Sequence, residues 1–254
     1  MADQQMGRKL AALGFRSVRI DVSGIGDSVI WEDEWQNHPY SDQLTDDIRA
    51  LIQHLKTRAD RFCVAGLCSG AFVAYHAAQA DPAVESIALI NPQTFKWEEG
   101  MSLDVNPLTR REATEYYKRR FFAKDAWMKM LRGGVNPRHA FEAVRGRIVD
   151  TARAKIARAK SKLSSDASKG SEVARAFDSM GTRGVDVLIV FSGNDPGIDN
   201  LNEKVGASMG ALAKRSSFTI ETIDGPDHSF TPLWSQADLD RVLVGHLTRR
   251  FAGS

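Results

Sequence analysis

The stretch with the clearest chemical potential in this chain of 254 residues is Gly66-Leu67-Cys68-Ser69-Gly70. An apolar run, Arg61-Phe-Cys-Val-Ala65, leads into it, and a small-residue run from Ala71 to Ala80 leads out. A strand, a sharp turn and a helix in that order hold the central side chain on a strained backbone above the sheet. Gly66 and Gly70 stand two residues either side of Cys68, where small residues let strand and helix approach. Centring the turn on Ser69 would put Leu67 and Ala71 in those places instead. The register therefore favours Cys68 as nucleophile and leaves Ser69 to offer its backbone N–H to an oxyanion. The start of a helix adds partial positive charge, which favours a thiolate. A thiol needs less activation than a hydroxyl, which suits acyl transfer from esters, lactones or thioesters. Cys63, inside the apolar run, reads as an inert small hydrophobe.

A nucleophile on such a turn is followed along the chain by its acid and then its base. Phe191-Ser-Gly-Asn-Asp195-Pro-Gly197 supplies Asp195 in a turn directly after an apolar run, with Asp199 as a nearby substitute. Ile223-Asp-Gly-Pro-Asp-His228-Ser-Phe230 supplies His228 in a loop after the last apolar run. His228 would take the Cys68 proton while Asp195 fixes its tautomer and stabilises the imidazolium. Asp195 as a turn cap and His228 as a solvated loop residue are the plainer readings of each alone. The other histidines, His38, His54, His76, His139 and His246, read as surface, helix or lid residues.

These residues need a scaffold that gathers them. Met6–Leu13 reads as a helix end, and Ser17–Ile20 as a short strand followed by the turn-rich Asp21–Ser28. Leu44, Ile48, Leu51, Ile52 and Leu55 recur with helical period, so Leu44–Leu55 is an amphipathic helix. Strands are expected at Ser86–Ile90, Val185–Phe191 and Phe218–Ile223, with helices at Leu201–Lys214 and Leu239–Phe251. Strands alternating with helices predict an α/β fold: a mostly parallel sheet covered on both faces.

Between two of those units the alternation stops. Pro107–Arg132 and Pro137–Leu163 have helical composition, and Ser164–Ser171 is a polar loop segment. Nineteen Lys and Arg against eleven Asp and Glu give residues 97–183 a charge of +8, whereas the whole chain carries +2. That asymmetry marks an insertion, read here as a helical lid over residues 97–183, with the core in 1–96 and 184–254. Tyr116, Tyr117, Phe121, Phe122, Trp127, Met128 and Met130 give the lid its apolar bulk. Its charge points to an anionic substrate or carrier, although solvated faces of a helix pair explain most of those charges. The chain's net charge gives no reason to expect nucleic acid. Two cysteines make neither a zinc site nor a disulfide framework. With no secretory signal and no membrane-spanning run, the expected setting is a reducing cytoplasm.

Gly66–Gly70, Asp21–Ser28, Gly193-Asn-Asp195 and Asp227-His228 together resemble the α/β-hydrolase superfamily. Gly-Leu-Cys-Ser-Gly-Ala, Ile-Asn-Pro-Gln, Asn-Asp-Pro-Gly and Asp-His-Ser-Phe resemble, within it, serine-aminopeptidase-like hydrolases of exopolysaccharide (exosortase-associated) or secondary-metabolite clusters. Cysteine in the nucleophile place is similar to dienelactone hydrolases and some acyltransferases. The resemblance implies hydrolysis or transfer at an ester, thioester or amide carbonyl of a small-molecule or carrier-bound substrate, with no metal or organic cofactor. It also implies an early central strand, whose following loop donates the second oxyanion-hole N–H. No counterpart precedes Gly14, so the core is expected to be N-terminally truncated. A serine-type hydrolase acting through Ser69 and a non-catalytic binding or scaffold protein of the same fold are the alternatives.

Overall fold

Residues 2–28, 39–97, 171–193 and 195–251 are described by a computed structural model. Among the described residues, four parallel strands form the sheet, in spatial order β1 (Phe62–Leu67), β2 (Val84–Ile90), β3 (Asp186–Ser192) and β4 (Phe218–Ile223). The two central strands are nearly continuous apolar runs, Val84-Glu-Ser-Ile-Ala-Leu-Ile90 and Asp186-Val-Leu-Ile-Val-Phe-Ser192, because both of their faces are covered.

Alternation along the strands sorts the core into two layers. Ile87, Leu89, Val187 and Ile189 pack with α2 (Asp42–Leu55), α3 (Ser69–Ala80) and α4 (Glu172–Thr182). Their neighbours Ala88, Ile90, Leu188 and Val190 face the other way, against α7 (Leu233–Phe251), where Leu243 is buried. The N-terminal helix α1 (Ala2–Ala12) adds Met6 to that second layer. The helix α2 buries Leu44, Ile48 and Ile52, the stripe that its sequence period predicts.

Several expectations change. Ser17–Ile20 is not a strand: among the described residues no strand pairs with it, and Val18 and Ile20 are 58% and 38% exposed. A strand is held by its partner's ladder, so four suitable residues alone do not make one. The expected helix Leu201–Lys214 is broken into α5 (Gly197–Val205), a single 3₁₀ turn and α6 (Met209–Leu212). Gly206 causes the break, ending α5 in a left-handed conformation at φ 50°. Helix α4 falls within the segment whose charge marks the insertion, yet it buries Val173, Ala174, Phe177 and Met180 in the core. Residues 98–170, with the rest of the expected lid, lie outside the described residues, as do His38 and His139.

Candidate active site

The carboxyl ends of β1, β3 and β4 converge, and each contributes one side chain. That is where open parallel sheets place their ligands. Cys68 follows β1 directly and caps α3 at φ 57° and ψ −112°, a conformation a non-glycine residue holds only under constraint. Its N–H donates to Ile90 O at 2.9 Å, and its carbonyl accepts from Ala71 N at 3.1 Å, pinning the turn from both sides. A Cβ on Gly66 would sit 2.2 Å from the backbone of Gly70, so only glycine fits there. The expectation of a matching restriction at Gly70 is corrected: a Cβ at that position meets open space. The close approach is between the side of Gly66 and the main chain of Gly70.

Asp195 lies in the turn before α5 and is 1% exposed. His228 lies in the loop after β4. The structure brings them together, His228 Nδ1 standing 2.6 Å from Asp195 Oδ2. Asp195 Oδ1 accepts from Gln93 Nε2 at 2.7 Å and from Gly197 N at 2.8 Å, so both carboxylate oxygens are held. Asp199, the substitute acid, sits exposed in the first turn of α5. The same His228 ring also acts on the Cys68 thiol, each group shifting the other's titration.

The electrostatics follow from these contacts. The Asp195 hydrogen bond leads in raising His228 to about 10, with further support from Cys68 against the cost of burial. Burial alone would push the Cys68 thiol up. Hydrogen bonds from His228, Tyr40 and the Ser69 backbone outweigh burial and hold it below the ordinary thiol value. A lowered thiol beside a raised imidazole favours a thiolate–imidazolium pair. Cys63 shows the reverse, burial pushing its thiol up to about 11.

Three contributors carry no sequence signal. Tyr40 Oη lies 3.8 Å from Cys68 Sγ. Asn91, at φ 45°, donates from Nδ2 to His228 O at 2.6 Å and accepts at Oδ1 from Ser192 N at 2.8 Å, tying the histidine loop to β3. Gln93 grips the acid. Asn91 and Gln93 belong to the Ile-Asn-Pro-Gln string, but nothing in that string says that its side chains reach across the sheet. Gly197 is similarly silent, although a Cβ there would come within 2.2 Å of Pro92 O.

The family described as the alpha/beta hydrolase family matches residues 3–243. The chain belongs to the α/β-hydrolase family. Among solved structures, an α/β-hydrolase-type protein of unknown function from Agrobacterium tumefaciens aligns at 15% identity and a TM-score of 0.50, covering 100% of this chain and 78% of that one. The α/β hydrolase GrgF from Penicillium sp. sh18 has the same identity, 15%, and TM-score, 0.50, over 98% of this chain and 84% of its own. A laboratory-evolved variant of a potato epoxide hydrolase aligns at 16% identity and a TM-score of 0.51, over 98% and 88%. Identities this low speak for the hydrolase fold alone. A search of curated proteins gave no significant match. Among the described residues of this hydrolase-family chain, no helix is long and apolar enough to cross a membrane.

Proposed function

We propose that this protein is a cysteine-dependent acyl hydrolase or acyltransferase acting on an ester, thioester or amide carbonyl of a small-molecule or carrier-bound substrate. The observation that carries the reading is the 2.6 Å contact from His228 Nδ1 to Asp195 Oδ2, in a ring that also holds the Cys68 thiol below its ordinary value. The Cys68 thiolate attacks the carbonyl carbon, and the His228 imidazolium returns a proton to the leaving group as the tetrahedral adduct collapses. Neutral His228 then activates water, or another acceptor, to release the acyl group from sulfur. Asp195 keeps the ring proton on Nδ1 throughout. A thiol nucleophile keeps its reactivity in a reducing compartment, which supports a cytoplasmic setting. The finer likeness to serine-aminopeptidase-like, exosortase-associated hydrolases rests on four short motifs and favours a carrier-bound or sugar-linked acyl group.

The test is p-nitrophenyl acetate turnover set against iodoacetamide labelling. Cys68→Ala should lower kcat by a factor on the order of 10⁶, to background. Ser69→Ala keeps its backbone N–H and should still turn over. The reverse pattern would move the nucleophile to Ser69. No turnover in the wild type, with a ligand still bound, would make this a non-catalytic scaffold.

A further inference from the structure

We propose that the Tyr40 hydroxyl is the second donor of the oxyanion hole, completing with the Ser69 backbone N–H the pair that binds the negative oxygen formed when Cys68 adds to a carbonyl. The inference rests on the acyl-transfer reading above.

Tyr40 Oη stands 3.8 Å from Cys68 Sγ, and the His228 ring, the Tyr40 hydroxyl and the Ser69 N–H are the groups that hold the thiol down. His228 is committed to proton transfer. The other two are neutral donors, as a developing oxyanion requires. When Sγ bonds to a carbonyl carbon, the carbonyl oxygen becomes one bond more distant from sulfur than that carbon. Donors already aimed at the thiolate are therefore close to the place where charge next appears. Tyr40 Oη, at 3.8 Å from Sγ, is longer than a direct oxygen contact but has room for an oxygen at the roughly 2.7–3.1 Å that oxyanion donors prefer.

The hydroxyl is also held in place before reaction. Tyr40 stacks on Trp97 with ring centres 4.9 Å apart and planes 7° apart, and meets Phe72 edge-on at 5.3 Å. Phe72 lies on α3, the helix that begins at the nucleophile turn, so the phenol is referenced to the same element as Cys68. Ser41, at the start of α2, follows Tyr40 directly, and its carbonyl accepts from Leu44 N at 3.3 Å, tying this backbone to the helix. Burial first, and the neighbouring thiolate second, hold the phenol above its ordinary value, so it remains an O–H donor through the working pH range. The donor is thus oriented by its ring contacts and favoured in its protonated form.

The step balances without a further reactant. The Sγ–C bond forms, the carbonyl π bond breaks, and its electron pair settles on oxygen between the two donors. The imidazolium keeps the proton until the C–leaving-group bond breaks, and Tyr40 transfers none.

Tyr40→Phe removes one oxygen and keeps the stacked ring. Alkylation by iodoacetamide forms no oxyanion, so its rate on the high-pH plateau reports the thiolate alone. The expected result is a fall in p-nitrophenyl acetate kcat of about 10²–10³-fold, with the plateau alkylation rate little changed. Butyraldehyde, which adds Cys68 reversibly to give an oxyanion, should lose affinity for the variant in the same direction. Turnover unchanged by Tyr40→Phe overturns the assignment, and so does a plateau alkylation rate that falls in step with turnover. A wild-type protein that alkylates at Cys68 but cleaves no ester overturns the acyl-transfer reading itself, and the Tyr40 assignment with it.

Discussion

At the carboxyl ends of the strands Cys68, His228 and Asp195 meet. At the amino ends of the same sheet Cys63, His246 and Asp186 meet around Ser86, and the ladder register aligns Cys63 with Ser86 and Ser86 with Asp186. Both clusters hold a thiol, an imidazole and a carboxylate, but their contacts differ. His228 Nδ1 is 2.6 Å from its carboxylate, whereas His246 Nδ1 is 3.7 Å from Asp186 Oδ2 and its Nε2 is spent on Ser86 Oγ at 2.7 Å. Among the described residues Asp186 Oδ1 has no hydrogen-bond partner, whereas both oxygens of Asp195 have one. Burial lowers His246, with Arg249 and Arg250 adding to it against Asp186. The Asp195 contact raises His228. One thiol is held down and the other pushed up to about 11. Residue types alone therefore do not make a nucleophile. A strained turn at a helix start, an imidazole charged by a close carboxylate, and donors aimed at the sulfur do.

The sharpest way to break this contrast is to blunt each carboxylate. Asp195→Asn should lower kcat for p-nitrophenyl acetate by up to about 10⁴-fold, since the wrong histidine tautomer would face the thiol. Asp186→Asn should leave kcat unchanged. Equal losses in the two variants would erase the distinction between the ends of the sheet.

The histidines come next. His228→Ala removes the largest contribution holding the Cys68 thiol down and leaves burial opposed only by Tyr40 and the Ser69 N–H. A lowered thiol reacts from lower pH, so wild-type alkylation should begin below the ordinary thiol range. In the variant that rising limb should move to higher pH. Iodoacetamide rates measured across pH decide this, and a limb that stays in place would mean His228 does not touch the sulfur's charge. His246→Ala should leave the Cys68 profile where it is. Its cost should be to stability, about 1–3 kcal/mol from the Ser86 hydroxyl losing a buried partner, read from urea denaturation.

Legibility in the sequence divides along the same lines. That Cys68, Asp195 and His228 lie near one another was legible because each follows an apolar run that becomes β1, β3 or β4, and the carboxyl ends of parallel strands lie on one side of the sheet. The sheet covered on both faces was legible from strands alternating with helices, and the buried stripe of α2 from its period. Tyr40, Asn91 and Gln93 were not, because their bonds reach Cys68, His228 and Asp195 across 28, 137 and 102 residues with no local pattern to announce them. Helix α4 was misassigned because charge counts average over a segment, whereas the stripe of Val173, Phe177 and Met180 decides where the helix packs. Ser17–Ile20 has strand composition, but a ladder is a property of pairs.

The smallest expected effect tests the amino-end thiol directly. Cys63 is half-buried beside Ser86, and with its thiol pushed up to about 11 only about one molecule in a thousand would be ionised at pH 8. Cys63→Ala deletes one small half-buried group, while Ser86 keeps His246 as its partner. The loss of stability should be about 1 kcal/mol or less. Mass spectrometry after iodoacetamide at pH 8 should find one label on the folded wild type and one on Cys63→Ala. In denaturant the wild type should take two and the variant still one. A second label on the folded wild type at a similar rate would show that the ends of the sheet share one chemistry, and that the turn, the carboxylate distance and the converging donors do not select Cys68.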